Sequence, residues 1–468
     1  MRHIALATTL LASTATSISA ENRIDGQSPD APELSAYGDL AVGVRQFEFV
    51  NEDQVDILAI DPAGDKPDVL PTYDRPLTVE MWYPALDGAS GDTSIDTYLR
   101  DGTTAIELEG RAVRDATPAD TTEPFPLLLL SHGYPGNRFL MSHLAENLAS
   151  KGYVVASIDH TDSTYRDQSA FGSTLVNRSL DQLFVLDEMA RLNSEAGTGF
   201  TGLIDTDNTG LVGYSMGGYG ALITAGAGVT EAAVALPFGA PHGTLGIHQE
   251  GSETHEALSD ERIKTAIAIG PWGMNFGLWD AEGLAGIDIP MLFIAGSNDT
   301  VSGYENGIRP IWEGAVNSDR ALLTFDGGSH NTVAPIPAPE ESFYFNDTLG
   351  FNISEHYTDP VWDTVFMNNV GQHFLTAWLD LELKGDVDKT AYLDLLDVGS
   401  DGFWSLNDDG TFGEDHTYWN GFQNGTAEGL RFETLAAQVA PVPLPASIWL
   451  LGLGIAGLGA AKRLRRFA

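Results

Sequence analysis

A serine, an acid and a histidine stand in this chain in an order and setting suited to nucleophilic catalysis: Ser215, Asp299 and His330. A serine hydroxyl is a poor nucleophile at neutral pH. It needs a base within hydrogen-bond reach, and the base needs an acid to orient it. Ser215 sits in Gly213-Tyr214-Ser215-Met216-Gly217-Gly218, after the apolar run Gly210-Leu211-Val212 and before Tyr219-Gly220-Ala221-Leu222-Ile223. That reads as strand, sharp turn and helix, a nucleophile elbow. The small flanking residues let the backbone take a strained turn that lifts the hydroxyl clear of the sheet.

His330 lies in the loop Gly327-Gly328-Ser329-His330-Asn331, where no apolar periodicity explains it, and it is the expected general base. Asp299, in Ser297-Asn298-Asp299-Thr300, is the expected orienting acid. Its rival, Asp326, is four residues before the histidine and is better suited to capping that loop. The oxyanion of acyl transfer needs two backbone N–H donors. Met216 supplies one, and the loop Ser131-His132-Gly133-Tyr134 the other, through Tyr134. His132 is expected to order that loop, and His160 to support it or to be a satisfied loop polar. Tyr134 and Trp272, both just past strand ends, are candidates for an apolar clamp beside the substrate carbonyl.

The elements that must hold these residues alternate strand and helix. Continuous apolar runs at 126–131 and 153–160 read as strands buried on both faces. Further strands fall at 40–50, 77–84, 210–212, 263–269, 289–296 and 321–325, with helices at 141–149, 179–192 and within 361–384. Each expected site residue follows a strand, so all gather at one edge of a mostly parallel sheet. The fold class is therefore α/β, in the α/β-hydrolase arrangement: a mostly parallel central sheet flanked by helices, with loop insertions and a C-terminal extension. The main domain is expected over residues 37–435, with a lid-like insertion at 231–262 and a peripheral cap at 385–435. Residues 21–36 read as a mobile lead-in.

Charge and termini set the compartment. The chain has 66 acidic and 24 basic residues, a net charge of −42, which repels nucleic acid phosphate and points to a saline habitat. No cysteine is present, so disulfides, thiolate metal sites and a cysteine nucleophile are excluded. Residues 1–20 read as a secretory signal peptide. Residues 436–468 read as a linker and transmembrane tail. In it, Leu444–Ala461 is long enough to span a bilayer, and Lys462-Arg463-Leu464-Arg465-Arg466 marks a cytoplasmic end. With Val442-Pro443-Leu444-Pro445-Ala446, this tail resembles VPLPA-type sorting signals. The resemblance implies a precursor held in the inner membrane of a Gram-negative cell. An exosortase-like enzyme would then cut it for release or for attachment at the surface.

The body resembles the serine-type α/β hydrolases grouped as predicted dienelactone hydrolases, near bacterial platelet-activating-factor acetylhydrolase-like esterases. It is also similar to cutinase-like polyester hydrolases. The residues that carry this are Trp82-Tyr83-Pro84, Ser131 to Gly136, Gly213 to Gly218, Pro271-Trp272, Asp299, Gly328-Ser329-His330-Asn331 and the helix Met367 to Phe374. True dienelactone hydrolases use cysteine, so the resemblance implies carboxylic ester hydrolysis rather than lactone opening. The expected substrate is a small-molecule or lipid ester. The alternatives are a phospholipase A2-type hydrolase, a polyester hydrolase, or a surface-binding protein on a hydrolase scaffold. No cofactor is expected. Asp205-Thr206-Asp207-Asn208 and Asn407-Asp408-Asp409-Gly410 lack a full calcium loop and read as turns. If the acidic surface is an adaptation to salt, the melting temperature rises between low salt and molar NaCl. A melting temperature that stays flat contradicts it.

Overall fold

The computed structural model describes residues 22–169, 171–237 and 239–438. The signal peptide and the transmembrane tail expected from the sequence lie outside them. Among the described residues, no helix is long and apolar enough to cross a membrane.

A ten-stranded sheet carries the chain. Its strands in chain order are β1 (Val42–Val55), β2 (Thr72–Pro84), β3 (Val113–Arg114), β4 (Phe125–Ser131) and β5 (Val154–Asp159). They continue with β6 (Ile204–Tyr214), β7 (Ile263–Ile269), β8 (Met291–Gly296), β9 (Arg320–Phe325) and β10 (Leu430–Leu435). Across the sheet the order is β10-β9-β8-β7-β6-β4-β5-β2-β1-β3. The six strands from β9 to β5 pair in parallel, while β10 and β2 join their neighbours antiparallel.

The apolar run of β4 shows why this sheet is buried on both faces. Leu128 and Leu130 join one core cluster, and Leu127 and Leu129 join the other, as the two-residue period of a strand requires. Helices α1 (Ser142–Ser150) and α4 (Thr364–Lys384) cover the first face, and α2 (Phe171–Ser194) and α3 (Met216–Thr224) the second.

Four segments differ from expectation. The lead-in is packed: Ile24 is buried, the Ser28 N–H donates to Asn369 Oδ1 at 2.8 Å, and the Leu34 N–H donates to His373 Nδ1 at 3.1 Å. Buried polar groups of α4 hold it down. The region expected as a cap ends in β10, which pairs with β9 and closes that edge of the sheet. Residues 231–262, expected as a lid, pack on the α2 side: Leu245 is buried in that core and His248 Nε2 donates to the Val176 carbonyl at 2.7 Å. Asp205–Asn208 lies within β6 rather than in a turn, while Asn407–Gly410 is a turn closed by Gly410 N–H to the Asn407 carbonyl.

Burial leaves several histidines neutral. It pushes the pKa of His143, His160, His356 and His373 down to about 3, and that of His248 down to about 4. In the unfolded chain the same groups take up protons near pH 6.5, as ordinary histidines do. Below that pH the unfolded state binds protons that the folded state refuses. Each such histidine then costs up to about 1.4 kcal/mol of stability per pH unit. The melting temperature is expected to fall as pH drops from about 7 to about 5 in thermal melts at fixed ionic strength. A constant or rising value contradicts this.

Candidate active site

Ser215 stands between β6 and α3 with φ 53° and ψ −112°, a backbone conformation that L residues rarely adopt. Close packing around the turn imposes it. A Cβ on Gly217 would lie 1.8 Å from the Ser131 carbonyl oxygen, and one on Gly213 would lie 2.2 Å from the Gly217 carbonyl oxygen. Only glycine fits at either position. The turn is also pinned to β7: the Ser215 N–H donates to the Ile269 carbonyl at 2.9 Å, and the Trp272 N–H donates to the Ser215 carbonyl at 3.2 Å.

The structure brings Ser215, His330 and Asp299 into one hydrogen-bonded chain. His330 Nε2 is 2.9 Å from Ser215 Oγ, and His330 Nδ1 is 2.8 Å from Asp299 Oδ2. A carboxylate can only accept, so Nδ1–H donates to Asp299 and Nε2 is left to accept the serine proton. The other oxygen of Asp299 accepts the N–H groups of Val301 and Ser302 at 2.8 and 2.9 Å. Burial alone would raise the pKa of Asp299. The bonds from His330, Ser302 and Val301 outweigh burial and hold it below the ordinary carboxylate value. Asp326 points elsewhere, to Arg431 Nε at 2.9 Å. The Tyr214 ring lies 5.2 Å from that of His330. Asn331, next in the chain, is tied to the carbonyls of Glu355 and Thr358.

The expected oxyanion loop runs beside the serine. A Cβ on Gly133 would be 3.3 Å from Ser215 Cβ. Met216 is the first residue of α3, so its N–H has no acceptor within the helix. Beneath the loop lies a second Ser-His-Asp chain, fully buried. Ser131 Oγ is 2.8 Å from His160 Nε2, and His160 Nδ1 donates to Asp181 Oδ2 at 2.9 Å. Arg75 grips Asp181 with two bonds at 2.7 and 2.9 Å. Burial would raise the pKa of Asp181, but Arg75 and His160 hold it at about 2. His132 accepts the His160 N–H on Nε2 and donates from Nδ1 to the Gly133 carbonyl at 2.7 Å. Arg178 donates to the His132 carbonyl. Both histidines therefore brace the loop from below.

A cleft of about 500 Å³ opens over the serine, lined by Tyr134, Tyr214, His330, Arg100, Phe351 and His356 among others. Tyr134 belongs to it, but Trp272 does not. Phe171 stands between those two rings, edge-on to each at 5.3 and 5.2 Å, and Trp272 continues the row to Phe276 at 4.7 Å. Arg100, Phe171, Phe351 and His356 were not legible as site residues. They arrive from a turn (Arg100), the start of α2 (Phe171), the short strand Phe351–Asn352 and the end of the 3-10 helix Ile353–His356, whose approach to Ser215 depends on tertiary packing, and no local motif marks them.

The solved structure of a ferulic acid esterase from Streptomyces cinnamoneus superposes with a TM-score of 0.51 at 21% identity, over 78% of this chain and 94% of that one. The fold is that of an α/β hydrolase. Residues 112–245 match the PET hydrolase-like family, and residues 441–466 match the PEP-CTERM protein-sorting motif. The hydrolase match spans the Ser131–Tyr134 loop and the Ser215 elbow and ends before Asp299 and His330. A cutinase of Thermobifida alba is 25% identical over 206 residues, 43% of this chain and 52% of its own length. A bis(hydroxyethyl) terephthalate hydrolase of Streptomyces coelicolor is 25% identical over 215 residues, 46% of this chain and 53% of its own length. The chain spans about half the length of these curated relatives. The C-terminal match makes that segment a sorting signal for export.

Gly217→Ala tests the packing of the elbow. The added methyl overlaps the Ser131 carbonyl, so the turn must shift, at a cost of about 1–3 kcal/mol. Chemical denaturation should show a lowered midpoint. An unchanged midpoint contradicts the packing described.

Proposed function

We propose that the chain is an exported carboxylic ester hydrolase working through an acyl-enzyme. His330 Nε2 takes the Ser215 proton as Oγ attacks the ester carbonyl carbon. The Tyr134 and Met216 N–H groups hold the oxyanion. His330 then protonates the leaving alcohol, and Asp299 keeps the imidazole in the required tautomer. Water hydrolyses the acyl-Ser215 by the same steps in reverse order. The observation that carries this reading is the Ser215–His330–Asp299 hydrogen-bonded chain, at the ends of β6, β8 and β9, opening on a cleft.

The similarity to cutinases and to a terephthalate diester hydrolase favours a polyester, or the soluble diesters it releases, as one substrate class. The row Tyr134, Phe171, Trp272 and Phe276 leads away from the cleft and offers aromatic surface to an extended apolar chain. The sorting motif, with the apolar stretch expected at 444–461, supports passage through the inner membrane and processing by an exosortase-like enzyme before the esterase reaches the cell surface or medium.

The purified chain should hydrolyse a short-chain p-nitrophenyl ester, and Ser215→Ala should lower kcat by about 10³-fold or more. Full activity in Ser215→Ala contradicts the assignment. Release of soluble acids from an amorphous polyester film, measured beside the soluble ester, decides whether polymer is also a substrate.

A further inference from the structure

Resting on the ester-hydrolase reading, we infer that the cleft selects esters carrying a carboxylate, held by Arg100 while Ser215 attacks the ester at the other end. The observation is an unpaired cation in a very acidic chain. Arg100 lines the same cleft as Ser215 and His330. Its Nη1 is buried and has no hydrogen-bond partner, and the side chain forms no ion pair among the described residues. A buried donor left unmade costs about 1–3 kcal/mol, more when charged. Nε and Nη2 are not sealed as Nη1 is and make no hydrogen bond among the described residues, so they are the donors an anion in the cleft would meet. Among the described residues Arg166, Arg178 and Arg320 also lack a carboxylate partner, but they lie outside the cleft lining, and the last two spend their N–H groups on hydrogen bonds.

The surroundings are built to leave it so. Arg100 sits in the turn between the paired strands Ser94–Tyr98 and Ala105–Glu109, with its N–H fixed by Tyr357 Oη at 3.0 Å. Its neighbour Asp101 is committed elsewhere, accepting from the N–H groups of Thr103 and Thr104, from both of their hydroxyls, and from Tyr344. Glu355, the carboxylate on the cleft lining, accepts from Asn352 Nδ2 at 2.7 Å. His356 stays neutral and bonds Tyr165 Oη at 2.7 Å, so it does not compete for an anion. Burial lowers the pKa of Arg100, opposed only by Tyr165, Tyr357 and Tyr134. The Phe351 ring, 5.9 Å from Cζ, adds an apolar wall. A planar guanidinium in a half-buried setting suits the two oxygens of one carboxylate. Its single charge suits a monoanion. Such a group is what the first cut of a diester or polyester leaves behind, so the site would accept the product of an earlier hydrolysis.

The test compares monoethyl adipate with ethyl hexanoate, matched in acyl length, in steady-state kinetics. Arg100→Gln should lower the ratio of their kcat/KM values by about tenfold or more, mainly through KM for the adipate, and Arg100→Lys should restore part of it. A ratio unchanged in Arg100→Gln overturns the inference while leaving ester hydrolysis intact. Binding to the Ser215→Ala chain, read by calorimetry, separates the two readings. With Arg100 intact, monoethyl adipate must bind more tightly than ethyl hexanoate, and weaker or equal binding overturns the site. If wild type hydrolyses neither ester, yet Ser215→Ala binds the monoester and Ser215→Ala with Arg100→Gln does not, the Arg100 site stands and the hydrolase reading falls.

Discussion

Ser215 occupies a backbone conformation that costs on the order of 1–3 kcal/mol, and the rest of the site depends on that cost being met by packing. With φ at 53°, its side chain is turned towards His330 rather than along the helix. The turn holds because Gly213 and Gly217 let three strand ends meet: the Ser131 carbonyl packs on Gly217, the Gly217 carbonyl packs on Gly213, and the Ile269 carbonyl accepts the serine N–H. The ends of β4, β6 and β7 therefore place Ser215 and the Ser131–Tyr134 loop beside each other with one set of contacts.

The remaining parts are held by polar groups buried beneath the cleft. Asp299 is fixed by two backbone N–H groups before it meets His330. The loop of Ser131 to Tyr134 is tied through Ser131 and His132 to His160, and rests on His160, Asp181, Arg75 and Arg178. Buried charges are expensive unless paired, and Arg75 with Asp181 is paired twice over. Two Ser-His-Asp chains thus lie close together with opposite surroundings. One opens on a cleft. The other is sealed in the core, where its serine meets no substrate and can only brace.

Much of this was legible in the residues. Apolar runs such as Leu127–Leu130 announce strands whatever surrounds them, and glycine-flanked Ser215 announces its own turn. Asp299 and His330 could be placed because each follows a strand and parallel strands share an edge. Other features depend on distant partners. Leu430–Leu435 is a short alternating stretch that becomes a strand only because β9 offers a free edge. The segment before residue 37 looks like a polar tail until Asn369 and His373 of α4 receive its N–H groups. Arg100 reaches the cleft from a turn and Phe351 from a two-residue strand, both too short to show a periodicity. Trp272 was placed near the carbonyl by its position after a strand, yet Phe171, from the start of α2, intervenes.

On the proposed reading, this geometry makes Ser215, alone among the serines, an activated nucleophile. The most direct measurement is covalent labelling of the purified protein with a fluorophosphonate, followed by peptide mass mapping. The account predicts a single adduct on the peptide containing Ser215, formed at least about 10²-fold more slowly in His330→Ala. An unlabelled protein, or an adduct on another serine with Ser215 unmodified, would contradict it.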